Sequence, residues 1–97
     1  MPRLVFTDRA QEDLLEAWLY IADEDLATAD RVVETIDQES RTLEDQPWIG
    51  RARPELGSQL RSWPTSTPYT LFYTVDELEV TVLRVLHHAR DLRLAAF

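Results

Sequence analysis

The stretch Tyr69-Thr-Leu-Phe-Tyr-Thr-Val75-Asp-Glu-Leu78-Glu-Val-Thr-Val-Leu-Arg-Val-Leu86 decides the fold class. Its first seven residues alternate, with Tyr69, Leu71, Tyr73 and Val75 on one face and Thr70, Phe72 and Thr74 on the other, the period of a strand. Residues 78–86 are β-branched and apolar on nearly both faces, which suits a central strand. Asp76-Glu77 between them is a hairpin connection without the glycine that the tightest turns favour. A third run, Gln59-Leu-Arg-Ser-Trp63, precedes the pair and reads as a strand. Before it, residues 47–58 hold both glycines and two of the five prolines, the punctuation of a loop.

Upstream the period changes. After the short apolar run Leu4-Val-Phe6, Thr7 and Asp8 can each cap a helix, and Gln11 completes a weak capping box with Asp8. Ala10, Leu14, Ala17, Trp18 and Ile21 recur at helical spacing and predict a helix over about residues 8–23. Asp23-Glu24-Asp25 interrupts it, and Asp25 is placed to cap a second helix through Ala29, Val32, Val33, Ile36 and Leu43, ending at Gln46 before Pro47. So short a connection folds two helices into an antiparallel hairpin. The expected architecture is α+β in one domain over residues 1–97. An N-terminal strand precedes the hairpin, which packs on a three- to four-stranded, mainly antiparallel sheet. The tail from His87 to Phe97 is read as a last short helix or strand.

Composition narrows the chemistry. The 97 residues carry a net charge of −8, and all ten bases are arginine. With no lysine, Schiff-base chemistry and a P-loop are excluded, and with no cysteine, so are disulfides, thiolate nucleophiles and cysteine-ligated zinc. No apolar run suits a membrane span or a signal peptide, so the expected location is the cytoplasm. Thirteen acids face four arginines in residues 1–46, a balance of −9, whereas residues 47–97 hold five acids and six arginines, a balance of +1. Acidic surfaces repel phosphates, so no direct nucleic-acid binding is expected. Glu12, Asp13 and Glu16 read as a solvated helix face, and Trp18, Trp48 and Trp63 as core. Trp48 is the exception to watch, because an exposed aromatic in its loop would mark an interface. Adjacent side chains on a strand point to opposite faces, so His87-His88 cannot chelate one ion; neither metal nor cofactor is expected.

These landmarks form an ordered series along nearly the whole chain. It runs Phe6-Thr-x-x-Ala10-x-x-Asp13-Leu14, Tyr20-Ile21, Leu43-x-x-x-Pro47-x-x-Gly50-Arg51, Arg53-Pro54-Glu55-Leu56 and Leu60-Arg61-Ser62. It continues with Tyr69-x-x-Phe72-Tyr73 and Val82-Leu83-Arg84-Val85-Leu86-His87-x-x-Arg90-Asp91. The series resembles the ParE branch of the ParE/RelE toxin superfamily. The resemblance implies a non-enzymatic toxin of a type II toxin–antitoxin pair that poisons DNA gyrase and is neutralised by a ParD-like ribbon-helix-helix antitoxin. It implies a target surface including Arg61, His87, Arg90, Asp91 and Arg93, and antitoxin contacts at Leu14, Trp18, Ile21, Val33 and Ile36. RelE-like relatives instead cleave mRNA on the ribosome. On that alternative Glu55, Arg61 and His87 would be the acid–base and charge-stabilising groups, with Thr70 standing where a related branch has its arginine. A third alternative keeps the fold and the antitoxin contact without toxicity.

Overall fold

Residues 2–90 and 92–97 are described by a computed structural model. Strand β1 (Arg3–Phe6) leads into helix α1 (Asp8–Ala22), then α2 (Leu26–Ser40), a single turn α3 (Thr42–Asp45), and strands β2 (Arg51–Ala52), β3 (Arg61–Pro64), β4 (Tyr69–Val75) and β5 (Glu79–His87). A 3₁₀ turn at Leu92–Leu94 follows. The sheet order is β1-β5-β4-β3-β2, with β1 parallel to β5 and the other pairs antiparallel.

The α+β class, the N-terminal strand and the helix hairpin are as expected, with two differences. The sheet has five strands, because Arg51–Ala52, inside the segment read as a loop, pairs with Ser62 and Arg61 of β3. The second helix does not run unbroken to Gln46. The buried Ser40 hydroxyl donates to the Asp37 carbonyl at 2.7 Å, a local bond that competes with helical pairing, and the chain re-forms as α3 with Leu43 in the core. The glycine-free β4–β5 turn is closed by Asp76, whose Oδ1 accepts the N–H groups of Leu78 and Glu79, each at 2.8 Å.

The two long helices begin where the sequence offers an acceptor: Thr7 Oγ1 takes the Ala10 N–H at 3.1 Å, and Asp25 Oδ1 the Ala27 N–H at 3.1 Å. The inward faces of α1 and α2 cover one side of the sheet and enclose Ala10, Ala17, Ile36, Leu71, Tyr73, Val80, Val82 and Val85. On the other side a smaller cluster of Leu60, Phe72 and Leu86 is roofed by Leu56, Leu83, Leu92 and Ala95. Phe97 closes it, its ring 5.0 Å from that of Phe72.

A buried ion pair joins these layers. The β4–β5 register shifts between Phe72 and Tyr73, so Phe72 opposes Arg84 while Tyr73 opposes Val82. β1 ends opposite Val82, which leaves the upper flank of β5 without a strand neighbour. Asp13 fills the gap: its Oδ2 accepts the Val85 N–H at 3.0 Å and Arg84 Nε at 2.7 Å, and its Oδ1 accepts Arg84 Nη2 at 3.1 Å. Arg84 Nη1 donates to the Ala96 carbonyl at 2.7 Å, so one guanidinium holds helix, sheet and tail. Asp13 is 4% exposed, which corrects its reading as part of a solvated face; Glu12 and Glu16 remain exposed.

Candidate functional site

β5 ends at His87, and the chain turns where the Arg90 N–H donates to the His87 carbonyl at 2.9 Å. His87 Nδ1 accepts the Ala89 N–H at 3.0 Å, and its ring stands edge-on to Tyr69 at 5.4 Å. Glu16, Tyr69, His87 and Arg90 line a shallow depression between α1 and the end of β5, and Tyr20 and Ala89 continue it. Burial pushes the Tyr69 phenol up, so it stays neutral and serves as a wall. Among the expected target residues, His87 and Arg90 therefore lie together, with Arg93 exposed in the following 3₁₀ turn. Asp91 lies outside the described residues.

Arg61 is elsewhere. It opposes Tyr73 on β4, whereas His87 opposes Tyr69, four residues along the same strand, or ~13 Å at strand rise. Its Nη1 donates to the Gly50 carbonyl at 2.7 Å, and its guanidinium lies 4.9 Å from the centre of the Trp48 ring. Arg61 therefore does not share the His87 depression, because the bond to Gly50 and the stacking on Trp48 hold it toward the β2 side of the sheet.

The ribonuclease set does not converge either. Glu55 is exposed and accepts Arg53 Nε at 2.8 Å, a bond that holds its carboxyl below the usual range and makes it a weaker base. Arg53, Thr70 and His87 line one depression on the tail side of the sheet, but its central position is the neutral Thr70. The depression holds one cation, Arg53, and the imidazoles His87 and His88, while Arg61 lies away from it on Gly50. Among the described residues no group of three metal-ligating side chains gathers.

Of the proposed antitoxin contacts, Leu14, Trp18, Ile21 and Val33 are half-buried along the helix hairpin, and the Trp18 indole donates to Asp30 at 2.8 Å across it. Ile36 is fully buried and presents no surface to a partner. On the hairpin, the large apolar residues facing water are others: Leu15 (58% exposed), Leu19 (55%), Tyr20 and Leu26. Leu15 and Leu19 form an i,i+4 pair on the outer face of α1 beside Glu12 and Glu16. Two leucines recurring among acids on a polar face were the sequence signal for them. Trp63 packs on the helix-side core and Trp18 is half-buried, whereas Trp48 is 62% exposed, the exception its loop position allowed.

The ParE toxin family, described as the ParE toxin of the type II toxin–antitoxin system parDE, has a model that matches residues 4–92. Among solved structures the chain resembles one described as the chromosomal ParDE toxin–antitoxin system from P. aeruginosa. The two are 22% identical over 90% of this chain and 96% of that one, with a TM-score of 0.77, a likeness of fold. No curated protein matches.

Proposed function

This chain belongs to the ParE toxin family of type II toxin–antitoxin systems, and from that premise we propose that it inhibits DNA gyrase and is neutralised by direct binding of a ParD-like antitoxin. It acts by binding, in the cytoplasm, and not as an enzyme. The observation that supports this reading beyond the family match is the placement of Arg61, bound to Gly50 and away from His87, with Glu55 engaged by Arg53 and the neutral Thr70 in the His87 depression. The target surface we propose is the cleft of Tyr20, Tyr69, His87 and Arg90 together with Arg93 of the following 3₁₀ turn, whose tail is held to the sheet by the bond from Arg84 to Ala96. The antitoxin covers the hairpin through Leu15, Leu19 and Leu26, with Leu14, Trp18, Ile21 and Val33 at the rim of the contact. Exposed apolar side chains on an otherwise acidic helix are what a partner must remove from water.

The test is plasmid supercoiling by purified gyrase from the source organism, with and without the protein, scoring relaxed and linear DNA. Inhibition that is relieved by the partner and lost in Arg90→Ala supports the reading. Unaffected supercoiling together with truncated transcripts in growth-arrested cells would transfer it to the ribonuclease. The shared depression of Arg53, Thr70 and His87 is the observation favouring that second reading.

A further inference from the structure

The two edges of the sheet are treated differently. At the β1 edge, Glu44 of α3 accepts the outward Leu4 N–H at 3.3 Å, so that edge is capped from within the chain. At the β2 edge, Arg51 and Ala52 are both exposed. Because Arg51 opposes Ser62 and the Arg53 N–H bonds to Leu60 O, the antiparallel alternation turns the Ala52 N–H and C=O outward.

Beside this open edge stands a fixed apolar surface. Trp48 and Ile49 are 62% and 44% exposed, yet the loop carrying them is held on its inner side. The Tyr73 hydroxyl accepts the Gly50 N–H at 2.8 Å and donates to the Pro47 carbonyl at 2.9 Å. A side chain at Gly50 would collide with that hydroxyl and with the Ser62 carbonyl, so only glycine fits. Arg61 braces the inner face of the indole. Trp48, Ala52, Pro54, Gln59, Leu60 and Arg61 then line a mainly apolar pocket of about 290 Å³. One wall, Gln59, sits at φ 61°, a left-handed conformation that non-glycine residues rarely adopt and that clusters at binding surfaces. Charge picks the occupant. In a chain of net −8, residues 47–64 hold Arg51, Arg53 and Arg61 against Glu55 alone, and Glu55 is paired with Arg53.

We propose that the β2 edge, Trp48 and the adjoining pocket are a docking strip for an extended acidic segment of a partner protein. The segment adds to β2 as a sixth strand. Its carboxylates lie against Arg51 and Arg61, and an apolar side chain between them enters the pocket beside Trp48. A held, exposed tryptophan next to an arginine is the composition of an energetic hot spot. The site is separate from the helix hairpin and from the His87 cleft, so it stands whether or not gyrase is the target.

The experiment is to pan a linear twelve-residue peptide display library against the whole chain and measure the enriched peptides by fluorescence anisotropy. Sequences alternating carboxylates with apolar residues are expected. Binding should weaken as salt rises, fall about tenfold or more in Trp48→Ala, and hold in Leu78→Ala, an exposed leucine of the β4–β5 turn. Arg61→Glu should act in the same direction. If it fails to fold, Trp48→Ala decides alone, since that side chain is mostly in water. The proposal is overturned if no acidic peptide is enriched or if Trp48→Ala binds as the parent does. It is also overturned if a single-stranded oligonucleotide competes at lower concentration than the peptide.

Discussion

The two faces of the sheet are closed by different means. On one, two 15-residue helices lay continuous apolar stripes over Leu71, Tyr73, Val80 and Val82, all at 0% exposure. On the other, Leu60, Phe72 and Leu86 are covered by a loop residue, a 3₁₀ turn and a terminal ring that is itself 38% exposed. The first cover is built from secondary structure that organises itself locally; the second exists only where the rest of the fold puts it. A protein can therefore keep a rigid helix–sheet body and present a loosely held tail beside a cleft. The Asp13–Arg84 pair lets the first region discipline the second, because Arg84 binds the helix with two nitrogens and the tail with the third.

Breaking that pair should have the largest effect. Asp13→Ala leaves a buried guanidinium without its counter-charge and the Val85 N–H without its acceptor, and should cost about 3–5 kcal/mol in urea unfolding. The double variant Asp13→Leu/Arg84→Met, which removes both charges, should recover most of it; no recovery would mean that the pair holds the layers together rather than merely needing its partners. Next, Leu71→Ala under the helices should fall near the top of the ~2–5 kcal/mol range for such truncations, and Leu86→Ala under the tail near the bottom. The tail can settle into the space, whereas the packed helices cannot. Equal losses would erase the distinction between the faces. A smaller effect is expected from Phe97→Ala, about 0.5–1.5 kcal/mol for the aromatic contact. Faster amide hydrogen exchange at Ala95 with α1 unchanged would place the loss in the tail alone.

The smallest effect is with pH. Burial raises the Tyr73 phenol above its ordinary value of 10.0, although the Gly50 N–H pulls it the other way. In the unfolded chain the phenol ionises first, so its stabilising contribution is complete below about pH 10 and is lost as pH rises beyond it. Thermal melts from pH 8 to 11 should show a falling midpoint at the alkaline end. In Tyr73→Phe that fall should be shallower, from a lower starting point because the tether to Pro47 and Gly50 is gone.

How much of this was legible in the sequence follows the same division. The alternation of Tyr69–Val75, the apolar run to Leu86 and the helical spacing of Ala10, Leu14 and Ala17 are local patterns, and the elements formed where they pointed. Asp13 was illegible for the opposite reason. Beside Glu12 and Glu16 it looks like one more solvated acid, and its burial depends on Arg84, 71 residues away. β2 was missed because two residues carry no period, and the break at Arg41 because Ser40 alone signals it. For the candidate site, the motif ending in His87 and Arg90 pointed to residues that do lie together. The place of Arg61 was not legible because its neighbours, Trp48 and Gly50, come from a loop whose course only the tertiary structure supplies.

The parallel pairing of β1 with β5 also sets an order in time. Residues 3–6 have their strand partner in residues 79–87, so during synthesis the helix hairpin is made long before the sheet that should cover its inner stripe. Closing so long a loop is entropically costly, and folds dominated by such distant pairings form slowly. Until residues 79–87 are made, the hairpin of α1 and α2 has no β5 beneath it and its inner apolar face stays unfilled. Any protein able to bind that hairpin meets it first in this unfinished form.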